Sequence, residues 1–166
     1  LGATAGRTTL NGEGLQHEDG HSHLISATIP NCVSYDPCFA YELAVIIQNG
    51  LERMIQNQED VYYYITIMNE NYQHPDMPKN IEKNIIQGIY KFSESKLKGP
   101  KVQLMGSGAI LREVIEAAKL LESEWKISAD VYSVTSFTEL RREALDNERW
   151  NMLNPDKKKK TSLIQE

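Results

Sequence analysis

Lys101-Val-Gln-Leu-Met-Gly-Ser-Gly-Ala-Ile-Leu-Arg112 runs from a strand through a turn into a helix, and Asp130-Val-Tyr-Ser-Val134 supplies the next strand. The strand is expected at 101–105 and the turn at Gly106-Ser-Gly108. A helix is expected over 109–125, because Leu111, Val114, Ile115, Ala118, Leu121 and Trp125 recur at helical spacing and should face inward. Ser136 and Glu139 have the spacing of a capping box at the head of a helix running to about Arg149. Strand, helix, strand, helix at these lengths is a βαβ unit, for which a right-handed crossover is the rule. The fold class is therefore α/β, with parallel-sheet layers and flanking helices.

Working outward, residues 93–100 are polar and end in Gly99-Pro100, which makes them the candidate linker. Before them a strand is expected at 88–92, a short helix at 81–86 and a loop at 69–78. Val61-Tyr-Tyr-Tyr-Ile-Thr-Ile-Met68 is β-branched and aromatic and apolar on both faces, the pattern of a buried parallel strand. Its tyrosines are read as packing residues. Asp36-Pro37 should open a helix, with Asp as N-cap and Pro at the first helical position. That helix would bury Phe39, Leu43, Ile46, Ile47, Leu51 and Met54 and turn Glu42, Gln48, Glu52 and Arg53 to solvent. Residues 10–23 are Gly-rich and polar, and are expected to be loop.

The 166 residues are 40% hydrophobic and 25% charged, enough for a core under an ordinary polar surface. A net charge of −5 gives no electrostatic reason to expect nucleic acid or an anionic membrane. The run Lys157 to Lys160 is read as solvated surface. Apolar stretches fall far short of a membrane span, and no charged-then-apolar signal segment opens the chain. The two cysteines, Cys32 and Cys38, have neither CxxC spacing nor a second pair, which favours a reducing compartment and a cytoplasmic home. The opening Leu1-Gly-Ala-Thr-Ala-Gly6, without an initiator Met, suggests a chain cut from something longer.

Chemistry-bearing residues concentrate at Gln16-His-Glu-Asp-Gly-His-Ser-His23, where His17, His21 and His23 stand among Glu18 and Asp19. Histidine can donate or accept a proton near neutrality, or as imidazolium hold a developing anion. Gly12, Gly14 and Gly20 would let the backbone turn sharply beside a ligand. A plain polar surface loop and a zinc-type His-x3-His-x-His ligand set remain alternatives. Gly106-Ser-Gly108 looks like the start of a dinucleotide fingerprint, but Leu111 stands where the third glycine should be. A structural turn is the better reading, although the N–H groups at that helix start could hold an anion.

Thr4-Ala-Gly-Arg-Thr-Thr-Leu-Asn-Gly-Glu-Gly-Leu-Gln-His-Glu-Asp-Gly-His-Ser-His23 closely resembles the homodimeric-type pyruvate dehydrogenases, the decarboxylating first components of pyruvate dehydrogenase complexes. The resemblance continues through Ile29-Pro-Asn-Cys-Val-Ser-Tyr-Asp-Pro37, Asn69-Glu-Asn-Tyr72, Asp130-Val-Tyr-Ser-Val-Thr-Ser-Phe-Thr-Glu-Leu140 and Glu148-Arg-Trp-Asn151, covering roughly residues 1–154.

This transketolase-like, thiamine-diphosphate-dependent family implies that residues 1–95 are the C-terminal part of a pyrimidine-binding domain. Residues 96–166 would then begin a transketolase C-terminal-type domain. The implied activity is decarboxylation of pyruvate with acetyl transfer to lipoyl groups, using thiamine diphosphate and Mg²⁺. The diphosphate motif, GDG followed by Asn, is not in this sequence, so the chain alone is expected to be inactive. By the resemblance, His17 is the active-site histidine beside the pyruvate adduct. Asp19 and His23 match the substrate-channel residues of the transketolase Asp-Gly-Pro-Thr-His motif, with His21 in place of the proline. Implied partners are a second copy in a homodimer and the dihydrolipoyl acetyltransferase component with its lipoyl domains. The alternative is a non-catalytic structural or interaction module of such an enzyme; a zinc-dependent hydrolase is a more distant one.

Overall fold

A computed structural model describes residues 19–68 and 70–166. The elements, in chain order, are α1 (Ser22–Ser26), β1 (Cys32–Tyr35), α2 (Ala40–Leu51), β2 (Tyr62–Ile65), α3 (Glu82–Gln87), β3 (Ile89–Ser93), β4 (Lys101–Gly106), α4 (Gly108–Glu124), β5 (Ser128–Val134) and α5 (Phe137–Leu153). A π-helical turn, Glu52–Gln56, prolongs α2.

The βαβ unit forms as the sequence reads. β4 and β5 pair in parallel, from Lys101 opposite Ser128 to Gly106 opposite Ser133, with α4 between them in sequence. β3 joins the other side of β5 in the antiparallel sense, giving the order β3-β5-β4. β1 and β2 form a separate parallel pair, Cys32 opposite Tyr62 through Tyr35 opposite Ile65. The chain thus has the expected α/β architecture, to which β3 adds one antiparallel strand. β3 lies before the expected linker at 93–100, yet its hydrogen bonds go to β5 beyond it.

Two apolar clusters hold these layers. Cys38, Phe39, Leu111, Ala118, Ala129 and Val131 pack around α4 and its sheet, while Val33, Tyr35, Ile46, Ile85 and Tyr90 pack around β1 and α2. Both cysteines are buried and free. The clusters share Tyr41 and Phe92 as neighbours, and Phe39 stacks on Phe92 with ring centres 5.3 Å apart. The start of α5 also rests on the backbone of β1. Ser136 Oγ donates to Ser34 O at 2.6 Å, and Arg142 donates to Cys32 O at 2.9 Å. Ser136 caps α5 by accepting from Glu139 N at 3.0 Å.

Several expectations need correction. Residues 22 and 23 are not loop but the first turn of α1, because Asp19 Oδ1 accepts from Ser22 N at 2.9 Å and His21 N at 3.2 Å. α2 does not begin at Asp36-Pro37. It begins at Ala40, after an N-cap at Phe39, and the acceptor at its start is Glu42, whose Oε2 lies 2.6 Å from Cys38 N and 2.9 Å from Phe39 N.

Glu42, expected in solvent, is completely buried. Its second oxygen accepts from Tyr90 Oη and Ser133 Oγ, both at 2.6 Å, and Tyr90 Oη in turn contacts Tyr41 Oη at 2.6 Å. Burial first, then the Glu42 charge, pushes the Tyr90 phenol well above the usual tyrosine range, so it stays a donor. Ile47 and Leu51 of α2 and Met54 of the π-helical turn, expected inside, are exposed. Trp125 is 69% exposed because α4 ends before it. Tyr62, expected in a buried strand, is exposed, and β2 is shorter than the apolar run that announced it. α5 continues beyond Arg149 to Leu153.

Candidate functional site

His17 lies outside the described residues, so the site is built from Asp19 onward. Asp19 folds back onto its own turn: besides the two backbone donors, Ser22 Oγ gives its proton to Asp19 Oδ1 at 2.5 Å. His21 is the exposed N-cap of α1. His23, two residues on, faces a different neighbourhood. Its Nε2 lies 3.0 Å from Thr66 Oγ1, and its ring meets Tyr64 edge-on at 5.4 Å. Of the histidine-rich stretch, the described structure brings His23 into tertiary contact and leaves His21 at the surface.

Behind His23 stands Asp36. Thr66 Oγ1 is 2.5 Å from Asp36 Oδ1, and Ser107 Oγ donates to Asp36 Oδ2 at 3.0 Å. The Asp36 backbone is held as well: its N–H donates to Thr135 O at 2.8 Å, and its carbonyl accepts from Gly108 N at 3.0 Å. Residues from β1's end, β2's end and the β4–α4 turn therefore converge on one carboxylate.

The Gly106-Ser-Gly108 turn earns its glycine here. Gly108 has φ +50, and a Cβ built on it would come within 2.5 Å of Asp36 Oδ1. At this helix start the Gly108 N–H is taken by the Asp36 carbonyl and the Asp36 carboxylate packs against Gly108, so the chain's own negative charge lies where a helix N-terminus favours it.

A cavity of about 760 Å³ opens beside this network. His23 and Leu24 of α1, Ser107 and Ile110 of the β4–α4 turn, and Phe137 and Arg141 of α5 line it. Its walls are mostly apolar, with the His23 imidazole, the Arg141 guanidinium and the Asp36 carboxylate as its ionisable groups. Cys38 offers no nucleophile: burial first, and then the Glu42 charge, push its thiol up to about 12. Among the described residues no three His, Cys, Asp or Glu side chains converge as a metal-binding group.

Sequence reasoning singled out Asp19 and His23 and missed Asp36, Thr66 and Ser107. Thr66 carried a signal, being the one aliphatic hydroxyl in an otherwise apolar and aromatic stretch. Asp36 was masked by Pro37, which made it look like a local cap.

Comparison with known proteins places this geometry in context. Residues 1–75 match the family model described as "Pyruvate dehydrogenase E1 component middle domain", and residues 88–165 match that described as "Transketolase-like TK C-terminal domain". A protein of Pseudomonas aeruginosa named "Pyruvate dehydrogenase E1 component" is 62% identical over 167 residues, covering 100% of this chain and 19% of that protein. Like-named proteins of Cupriavidus necator and Escherichia coli K12 are 58% and 62% identical, over 99% and 93% of this chain and 18% of each relative. The chain therefore spans about a fifth of the length of the curated relatives it matches.

Proposed function

Because the chain belongs to the family of pyruvate dehydrogenase E1 components, through the middle domain and the transketolase-like C-terminal domain, we propose that it works as part of a pyruvate dehydrogenase. That enzyme would decarboxylate pyruvate oxidatively and transfer the acetyl unit to lipoyl groups. The observation that carries the reading is His23, held by Thr66 at the wall of the cavity, just after the Asp19 turn.

In this reading His17 is the catalytic histidine, and Asp19 and His23 bind substrate. A cation or donor is needed there, because the substrate carboxylate and the developing oxyanion both carry negative charge. His23 can supply a proton or a positive charge at the cavity wall. Asp19 sets the turn that presents the histidines, through its bonds to His21 N and Ser22 N.

Thiamine diphosphate and Mg²⁺ enter as cofactors held elsewhere in the enzyme. At the Gly106-Ser-Gly108 turn the Asp36 carboxylate lies against the start of α4, where it would repel a diphosphate. The proposed partners are a second copy in a homodimer and the dihydrolipoyl acetyltransferase component with its lipoyl domains, in the cytoplasm. Support for a partnered surface comes from Leu24, Ile110 and Phe137, which stand exposed around the cavity.

The test is His17→Ala in the full-length enzyme. It should lower kcat roughly 10²-fold, about 3 kcal/mol, the scale for removing one active-site electrostatic donor. Cofactor affinity should stay nearly constant. Unchanged turnover with weakened folding or cofactor binding would make His17 a structural residue and remove the catalytic reading.

A further inference from the structure

We propose that Asp36, acting through the Thr66 hydroxyl, is a positioning residue that fixes His23 as its Nε2–H tautomer; the functional value of this rests on the reading of His23 given above.

The inference follows from counting protons along a line of three groups. A carboxylate only accepts, so the 2.5 Å contact between Thr66 Oγ1 and Asp36 Oδ1 takes the single threonine proton. Thr66 Oγ1 then has only lone pairs to offer to His23 Nε2, which is 3.0 Å away. That nitrogen must carry hydrogen. A neutral imidazole has one N–H, so its Nδ1 holds the lone pair, and the proton that His23 gains or loses is the Nδ1 proton. The logic is that of a base whose far nitrogen is oriented by an acidic group, with a hydroxyl inserted between the two.

The line is held rigidly at its far end. Asp36 cannot swing away, because Ser107 Oγ holds Oδ2 at 3.0 Å and the Asp36 backbone is bonded to Thr135 O and Gly108 N. Thr66 is anchored too, its N–H donating to Tyr35 O at 3.1 Å. The edge of the imidazole contact with Tyr64 restricts ring rotation. The carboxylate is seated against the β4–α4 turn while the histidine belongs to α1, so the orientation of His23 depends on how the two sheets are docked. A tether that merely joined β1 to β2 would have no need of the histidine at its end.

The test is long-range ¹H–¹⁵N spectroscopy of the full chain with ¹⁵N-labelled histidine, at a pH above the usual histidine range, about 6.5. There are four histidines, and His23→Gln identifies the signal. The expected result is a single Nε2–H form with a proton protected from exchange. Thr66→Val, which keeps the shape and removes the hydroxyl, should give mixed tautomers and loss of protection. Thr66→Ser should restore both. Asp36→Ala should lower the Nε2–H population in the same way; if that variant fails to fold, the Thr66 pair decides. An Nδ1–H form in the unaltered chain, or an unchanged signal in Thr66→Val, overturns the proposal. Failure of the functional reading looks different: the tautomer stays fixed, but His23→Ala in the full-length enzyme leaves kcat and KM unchanged.

Discussion

Replacing Glu42 should destabilise the fold, and the size of the loss depends on what replaces it. The side chain is fully buried and accepts from two backbone N–H groups, at Cys38 and Phe39, and from two hydroxyls, at Tyr90 and Ser133. In Glu42→Ala the hydroxyls can turn to other acceptors, and Tyr90 already has Tyr41 beside it. The two N–H groups cannot turn. Each buried donor left unmet costs about 1–3 kcal/mol, so the loss should be about 4 kcal/mol, a large share of the roughly 5–15 kcal/mol of a typical domain.

Glu42→Gln should be much milder. Its carbonyl can face the two N–H groups while its NH₂ donates to the two hydroxyl oxygens, which reverses the direction of the Tyr90–Tyr41 bond. A loss of about 1–2 kcal/mol is expected, the difference between hydrogen bonds to charged and to neutral acceptors. Urea unfolding of the full chain, followed by tyrosine and tryptophan fluorescence, measures both. At an m-value of about 2 kcal/mol per molar, the alanine midpoint should fall by about 2 M and the glutamine midpoint by about 0.5–1 M. A loss under about 1 kcal/mol for Glu42→Ala, or equal losses for both variants, would refute the idea that the backbone donors decide the outcome.

Other expectations concern the glycine turn, a capping histidine and pH. Gly108→Ala should destabilise by at least about 1–2 kcal/mol, the cost of left-handed backbone, and by more because the new methyl meets the Asp36 carboxylate; thermal unfolding reads this directly. His74 looks like a silent loop residue in sequence, but its Nδ1 accepts from Ala40 N at 3.0 Å, so His74→Ala should cost about 1 kcal/mol of stability in the same assay. Asp130 is held below the usual carboxylate range chiefly by its bond to Lys101 Nζ, at 2.8 Å. A depressed acid stabilises the fold above its unfolded value, about 3.9, and that contribution should be lost as pH falls through the lower folded value; Lys101→Met should flatten this acid limb of a denaturation series. Tyr90 and Tyr41 are raised, mainly by burial, so the folded state keeps protons that the unfolded chain releases above about pH 10, and stability should fall there. A denaturation midpoint constant from pH 9 to 11 would contradict that burial.

What the sequence determined by itself is what local physics controls. The β4–α4–β5 unit was readable because strand period, glycine turn and helical stripe lie in one uninterrupted stretch, and the Ser136 cap because cap and donor are three residues apart. The histidine-rich segment announced itself by composition, and the long match to family motifs gave the family. Tertiary structure alone decided the fate of the polar residues that have distant partners. Glu42 looks like a surface glutamate until Ser133, 91 residues away, and Tyr90, 48 away, bring hydroxyls to it. Asp36 looks like the cap of its own helix until Ser107, 71 residues on, and Thr66, 30 on, claim its carboxylate. Periodicity ranks each residue by its own hydrophobicity. A buried carboxylate is stable only through donors from other elements, and the folded backbone alone determines which ones reach it.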